Sequence, residues 1–266
     1  MNEERKTYWN ETYYQYWKAR VEESKNSALE NNSHQIQGDV KTSSEQTYID
    51  AVESLNILPS YKLLELGCGF GRNADVLYSK TPHLYFVDIS ESMLRAAREG
   101  NSHRPEIQFF LSEAEHLPFE TNTFDRVMCF SVFDALFQKE ALIEMNRVMN
   151  TNGLLYLTGK NSFYFNDDEK ALTAEINARA KKHPNSFTHV KTLLAHLSSF
   201  GFSLCNSKYY LRRGDTYEGR FQTEFPDRFY EYALTLKKDK LAVLDLTSNL
   251  KISAEYSETF LNLFKT

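Results

Sequence analysis

Cysteine is scarce and unpatterned in this chain of 266 residues. Only Cys68, Cys129 and Cys205 occur, with no C-x-x-C pair. An odd, scattered set fits a reducing compartment and excludes a disulfide framework or a cysteine-based zinc site. No apolar run approaches the roughly 20 residues of a membrane helix. The opening Met1-Asn2-Glu3-Glu4 lacks the basic region and apolar stretch of a secretory leader. Positive charge is also in deficit, with 31 Lys+Arg against 36 Asp+Glu and a net charge of -5. That balance argues against a protein that lives on phosphate backbones. Two local basic groups, Arg179-Lys181-Lys182-His183 and Lys208-Arg212-Arg213, read as a solvated helix face and a strand end. These absences lead us to expect a cytoplasmic protein with a small-molecule substrate, no nucleic-acid, membrane or metal partner, and a monomeric or homodimeric state.

What the chain has in excess is aromatic side chains: 19 Phe, 16 Tyr and 2 Trp, or 14%. Both tryptophans fall between residues 5 and 22, where Trp9, Tyr13, Tyr16 and Trp17 sit at helical spacing, i, i+4, i+7 and i+8. Residues 23–44 turn polar and read as a mobile connector. Ser43-Ser44-Glu45-Gln46 then suggests a capping box opening a helix through Tyr48, Val52 and Leu55 that stops at Pro59. Beyond it, short apolar runs at 63–66, 84–87, 107–111, 126–130 and 154–157 alternate with helical stretches at 72–80, 91–99 and 138–149. Alternation of this kind predicts an α/β, Rossmann-like, doubly wound sheet, mostly parallel, with right-handed crossovers. A charged helical insert at 160–187, a helix at 188–200 and strands near 202–211 and 228–237 complete seven strands. The expected organisation is an N-terminal helical cap and linker at 1–45, a main domain at 46–240 and a C-terminal helical tail at 241–266, where Tyr256, Phe260, Leu263 and Phe264 share a face.

The most informative stretch is Leu63-Leu64-Glu65-Leu66-Gly67-Cys68-Gly69-Phe70-Gly71-Arg72-Asn73. An apolar strand runs straight into Gly-x-Gly-x-Gly and then a helix. Glycine permits the tight turn and lets a ligand approach the backbone without meeting a Cβ. A P-loop would need a Gly-Lys-Ser/Thr ending, which is absent, and a dinucleotide fingerprint would need glycine where Arg72 stands. The remaining reading is an uncharged nucleoside with an amino-acid tail, whose ammonium would face Glu65. Asp88 favours it: this acid ends the second strand 21 residues after Gly67, where a ribose-binding carboxylate is expected. Asp88 could instead cap the next helix, but Ser90 can fill that role.

Residues 61 to about 159 resemble the class I S-adenosylmethionine-dependent methyltransferases, the broad small-molecule group that includes the ubiquinone/menaquinone type. Glu65 through Gly71 is similar to the first motif. Val87-Asp88-Ile89-Ser90 with Met93 resembles the second-strand motif. Ser112-Glu113-Ala114-Glu115 followed by Leu117-Pro118-Phe119 looks like the segment usually written Gly-Asp-Ala-Glu. Phe124 through Leu136 resembles the fourth-strand motif, and Glu144 through Gly153 the helix and turn before the fifth strand. The resemblance implies S-adenosyl-L-methionine as cofactor. It assigns Glu65, Gly67, Cys68, Gly69, Gly71, Asp88, Ile89, Met93, Glu113, Ala114, Glu115, Cys129 and Phe130 to cofactor binding. The chain departs from the family at Asn150-Thr151-Asn152-Gly153, where Lys-Pro-Gly-Gly is usual, and Asn152 can take the positive φ a glycine would. Asp134-Ala135 stands where many relatives carry a base.

The expected reaction is methyl transfer to an N or O atom of a small metabolite, with a protein or RNA acceptor, or a non-catalytic scaffold, as alternatives. Cys129-Phe130-Ser131-Val132 lacks the Asn/Asp-Pro-Pro-Tyr/Phe signature of base and glutamine amino-methylation. Aromatics collect outside the cofactor motifs, in the amino-terminal stripe, at 163–165 and along 209–232. Ligands of open parallel sheets lie beyond the carboxyl ends of the strands. Tyr8, Trp9, Tyr13, Trp17, Phe163 and Tyr164 are therefore the candidate substrate-binding residues, and the first helix is the expected lid. His189 and Asp134 are the candidate general bases, with Asp167 and Asp168 behind them. No metal ligand set is expected.

Overall fold

The computed structural model describes residues 3–19, 45–243 and 249–263. The expected connector at 23–44, the first half of its capping box and Phe264 lie outside the described residues.

A seven-stranded sheet organises the chain, built from β1 (Leu63–Leu66), β2 (Leu84–Asp88), β3 (Gln108–Leu111), β4 (Phe124–Cys129), β5 (Met149–Lys160), β7 (Phe202–Tyr210) and β8 (Glu231–Lys238), in the order β3-β2-β1-β4-β5-β8-β7. The first five run parallel to one another, and β8 runs antiparallel between β5 and β7. This is the expected Rossmann-like α/β class. β1 is buried along its whole length, as a central strand covered on both faces must be. Strand order reverses around β1 and β4, and in such sheets that reversal opens a crevice at the carboxyl ends.

Helices cover the sheet where apolar residues repeat at helical spacing. Glu45–Ser54 turns Tyr48, Ala51 and Val52 inward. Glu91–Gly100 buries Met93, Leu94 and Ala97, and its N-cap Ser90 accepts the Met93 N–H. Gln138–Val148 buries Ala141, Leu142, Met145 and Val148. β5 is longer than its apolar run because it starts at Met149. Its pairing with β4 jumps from Phe124 opposite Met149 to Arg126 opposite Leu154, so residues 150–153 bulge, with Asn152 at φ 67° as its sequence position suggested.

The insert carries one helix, Glu169–Ala180, capped by Asp168, whose carboxylate accepts the Ala171 N–H. The expected helix at 188–200 divides into Val190–Ala195 and a 3-10 turn, Leu197–Phe200. The tail is only partly helical. Ser253–Ala254 (β9) pairs antiparallel with Phe187–Thr188 (β6), and Glu258–Leu263 follows as a short helix. No helix among the described residues is long and apolar enough to cross a membrane.

Candidate functional site

β1 delivers Glu65 and then a turn in which Gly67, Gly69 and Gly71 all have positive φ (65°, 55° and 72°). The Gly67 and Cys68 N–H groups both donate to the Val87 carbonyl (2.8 and 3.1 Å), which ties the turn to β2. A Cβ on Gly67 would stand 2.5 Å from Val132 Cγ2, whereas one on Gly69 would meet nothing within 4 Å. Gly67 is thus required by packing, and Gly69 leaves its space to a ligand. The turn borders a cavity of about 610 Å³ that Asp88–Ser90, Met93, Glu113, Ala114 and Phe130–Val132 also line.

Three carboxylates mark this cavity. Glu65 accepts the Tyr48 hydroxyl at 2.9 Å through Oε1, while its buried Oε2 has no partner among the described residues. Burial pushes the Glu65 carboxyl up to about 7. Buried Glu113 Oε1 is likewise unpartnered among the described residues. Asp88 accepts the Gly69 N–H at Oδ2 and the Ser90 N–H at Oδ1, both at 2.8 Å. Ser90 caps the helix, as the sequence suggested, but Asp88 is not left free by it. Backbone donors hold the carboxylate in place, and each oxygen keeps a second lone pair. Burial raises the Asp88 pKa against the pull of these donors.

Ten of the thirteen expected cofactor residues line the cavity: Glu65, Gly67, Cys68, Gly69, Asp88, Ile89, Met93, Glu113, Ala114 and Phe130. The other three stand outside its lining. Gly71 faces the helix that follows β2, where a Cβ would touch Asn101 and Ala97. Cys129 is fully buried in the core, and Ser131 and Val132 line the wall in its place. Glu115 turns the other way, to the amino-terminal helix.

That helix lies across the cavity. It is α-helical over Glu3–Thr7, π-helical over Tyr8–Tyr13 and α-helical again through 14–19. Three contacts dock it. Arg5 grips Glu115 with both ends of its guanidinium (2.6 and 2.9 Å), and the pair is buried, with Glu115 also accepting the Phe137 N–H at 2.7 Å. Asn10 Oδ1 accepts the Ser92 N–H at 2.9 Å. Trp17 stacks on Phe70 of the glycine turn, ring centroids 4.3 Å apart. Trp9, Tyr13 and Trp17 line the cavity, whereas Tyr16, expected on the same stripe, is 46% exposed and borders the neighbouring chamber.

A second chamber of about 1230 Å³ adjoins the first, and Tyr13, Arg72, Phe130, Ser131, Asp134, Lys160, His183 and Asn185 line both. Tyr8 lines the second chamber, where its hydroxyl meets His183 Nδ1 at 2.7 Å. At the junction Asp134 forms an ion pair with Lys160 Nζ. Burial opposes the Lys160 charge, yet Asp134 and the nearby Tyr230 and Glu231 outweigh it and hold the ammonium above its usual range. His183 sits within 5.1–6.4 Å of the Tyr8, Trp9 and Tyr13 rings. Burial and Lys160 lower it to about 4, so its imidazole is neutral at pH 7.

The remaining candidates lie elsewhere. His189 Nδ1 faces Glu258 at 3.3 Å and lines neither chamber. Asp168 is the insert helix's cap, and Asp167 pairs with Arg212 at the surface. Tyr164 is buried against Phe187 and Tyr230 with its hydroxyl on Glu175, and Phe163 lies under Arg228. Of the late aromatics, Phe225 and Phe229 pack on Tyr209 rather than in either chamber. The sequence did not single out Lys160, His183 or Asn185 as site residues. Lys160 was accessible to that reasoning, because it ends β5 and carboxyl ends of parallel strands face the ligand. His183 and Asn185 come from an irregular segment with no periodic pattern. No group of three or more His, Cys, Asp or Glu among the described residues could hold a metal ion.

Residues 64–157 match the family model described as a methyltransferase domain. A 142-residue stretch is 30% identical to a malonyl-(acyl-carrier protein) O-methyltransferase of Legionella pneumophila, covering 52% of this chain and 48% of that protein. A 107-residue stretch is 32% identical to the ubiquinone/menaquinone biosynthesis C-methyltransferase UbiE of Cupriavidus pinatubonensis, covering 38% of this chain and 44% of that one. The chain therefore spans less than half the length of these curated relatives. The crystal structure of the cyclase SpnF superimposes with a TM-score of 0.56 over 80% of this chain and 91% of that one, at 17% identity, a likeness of fold alone. The matched domain over residues 64–157, the motifs in order along the chain and this sheet order make that part of the chain similar to the class I S-adenosylmethionine-dependent methyltransferases.

Proposed function

We propose that the protein binds S-adenosylmethionine in the 610 Å³ cavity and moves its methyl group to an N or O atom of a small molecule held in the adjoining chamber. The observation that carries this reading is the pair of buried, unpartnered carboxylate oxygens, Glu65 Oε2 and Glu113 Oε1, beside an open glycine turn. A buried acceptor without a donor is costly unless a ligand supplies one. The cofactor carries the matching donors: an ammonium for Glu65, an exocyclic amine for Glu113 and two ribose hydroxyls for Asp88. Gly69 offers room for close approach. The residues present fit the group.

When bound, the cofactor supplies a methyl already activated by its sulfonium. The chain's part is to align the acceptor and exclude water, which can carry most of the rate. Docking of the first helix through Arg5, Asn10 and Trp17 supports a lid role for residues 3–19. Asp134 remains the candidate base at the junction, where it is paired with Lys160. Neutral His183 is the second group there able to accept a proton or hold an acceptor's N–H or O–H. A roofed chamber also suits a small acceptor better than a macromolecule.

Incubation with S-adenosylmethionine and panels of small amines, phenols and carboxylic acids, followed by mass spectrometry, tests the reading. A product heavier by one methyl on N or O is expected. Transfer only to carbon, or only to protein or RNA, would contradict it.

A further inference from the structure

The acceptor chamber contains a half-buried cation, Arg213, that forms no ion pair among the described residues. β5, β8 and β7 end side by side there, with Lys160 opposite Glu231 and Glu231 opposite Tyr210 in register. Cross-strand partners share a face, so the three side chains form a row along the carboxyl end of β5. Lys160 is committed to Asp134, and Glu231 is held by the Thr216 hydroxyl. Arg213, in the turn after β7, lines the same chamber and donates from Nη1 to the Tyr230 hydroxyl at 3.1 Å. Among the described residues no carboxylate lies within ion-pair distance of its guanidinium.

The turn itself is rigidly held. The Arg213 N–H donates to Asp168 Oδ2 at 2.9 Å, and Arg212 takes Asp167 in a two-pronged pair at 2.7 and 3.1 Å. The guanidinium is therefore placed by its backbone, not by an anionic partner. Against the cost of burial, Tyr230 and the Glu231 and Asp168 carboxylates hold the guanidinium charged, yet no carboxylate takes its planar fork, which matches one in shape. Beside it the chamber floor is aromatic: Tyr156 and Phe130 stack with ring centroids 6.4 Å apart, and Tyr210 adjoins them in the same core cluster.

We infer that Arg213 is the docking point for a carboxylate on the methyl acceptor, and that the acceptor class is an aromatic acid whose ring lies on the Phe130–Tyr156–Tyr210 floor. The inference rests on the methyl-transfer reading above and narrows its substrate class. Anchoring of the acid at Arg213 leaves the far end of the ring, with its hydroxyl or amine, for the junction with the cofactor cavity.

The test uses the full chain saturated with S-adenosylhomocysteine and compares three probes by calorimetry: 4-hydroxybenzoate, its neutral counterpart 4-hydroxybenzamide and the cation 4-hydroxybenzylamine. The benzoate is expected to bind at least about tenfold tighter than the amide, the range of a charge-assisted hydrogen-bonded pair. Arg213→Gln should erase that preference, and Arg213→Lys should keep part of it. Both should leave S-adenosylhomocysteine affinity unchanged, which a misfolded variant would not. Equal binding of benzoate and amide, no binding of either, preference for the amine, or an undiminished preference in Arg213→Gln would overturn the inference. Failure of S-adenosylhomocysteine to bind the native chain would instead overturn the cofactor reading.

Discussion

Glu65 sits two residues before the glycine turn with one oxygen on Tyr48 and the other unpartnered among the described residues. Its pKa, raised by burial to about 7, fixes the sign of two effects. Below pH 7 the carboxyl is protonated in the ligand-free protein, so binding an ammonium there must release a proton. Affinity for S-adenosylhomocysteine should therefore rise by up to tenfold per pH unit from about pH 5, level off above 7, and lose this slope in Glu65→Gln; calorimetry across buffers of different ionisation heat measures it. For stability the sign is opposite. A raised carboxyl favours the fold below its unfolded pKa of 4.5, and that contribution is lost as pH rises through about 7. The loss is on the order of 3 kcal/mol, so ligand-free Glu65→Gln should match or exceed the native melting temperature at pH 8. His183 should give no such dependence: with its pKa near 4, its imidazole resonances should not titrate between pH 5.5 and about 8. At Gly67 both the positive φ and the 2.5 Å approach to Val132 oppose a side chain. Gly67→Ala should cost about 2–4 kcal/mol in urea unfolding; a cost under about 0.5 kcal/mol would contradict this account of the turn.

Among the elements, the amino-terminal helix shows what a sequence discloses and what it hides. Helical spacing placed Trp9, Tyr13, Tyr16 and Trp17 on one stripe, and three of them line the cavity. The π-helical turn over Tyr8–Tyr13 rotates less per residue than an α-helix, and Tyr16 faces the adjoining chamber instead. Strands, glycine turn and cap residues were legible because each is dictated by neighbours in sequence. The docking contacts were not, since Arg5 meets Glu115 across 110 residues and Tyr8 meets His183 across 175. Glu115 illustrates the consequence: its motif position suggested the cofactor, and its carboxylate went to the helix instead. Arg5→Ala leaves a buried carboxylate without its cation, a change of about 3–5 kcal/mol when the partner cannot relax. Hydrogen exchange over residues 3–19 should then approach the unprotected rate. Deletion of residues 1–22 should lower turnover far more than S-adenosylhomocysteine affinity; full turnover by the truncated chain would remove the lid.

For the molecule as a whole, the strand order reverses around β1 and β4, and the loops from the carboxyl ends of β1, β2, β3 and β4 converge on one crevice. The sheet class was readable from alternating apolar and helical runs. The antiparallel place of β8, the division of the 188–200 helix and the return of β9 onto β6 depend on contacts between distant segments, for which periodicity carries no information. The central claim is that this crevice takes an S-adenosyl cofactor and not a dinucleotide. Thermal unfolding with S-adenosylhomocysteine and with NAD tests it most directly. A hundredfold excess over Kd stabilises the fold by about 2.7 kcal/mol, so S-adenosylhomocysteine should raise Tm by about 5–10 °C, with no shift from NAD. No shift with S-adenosylhomocysteine, or a shift with NAD alone, would contradict the account.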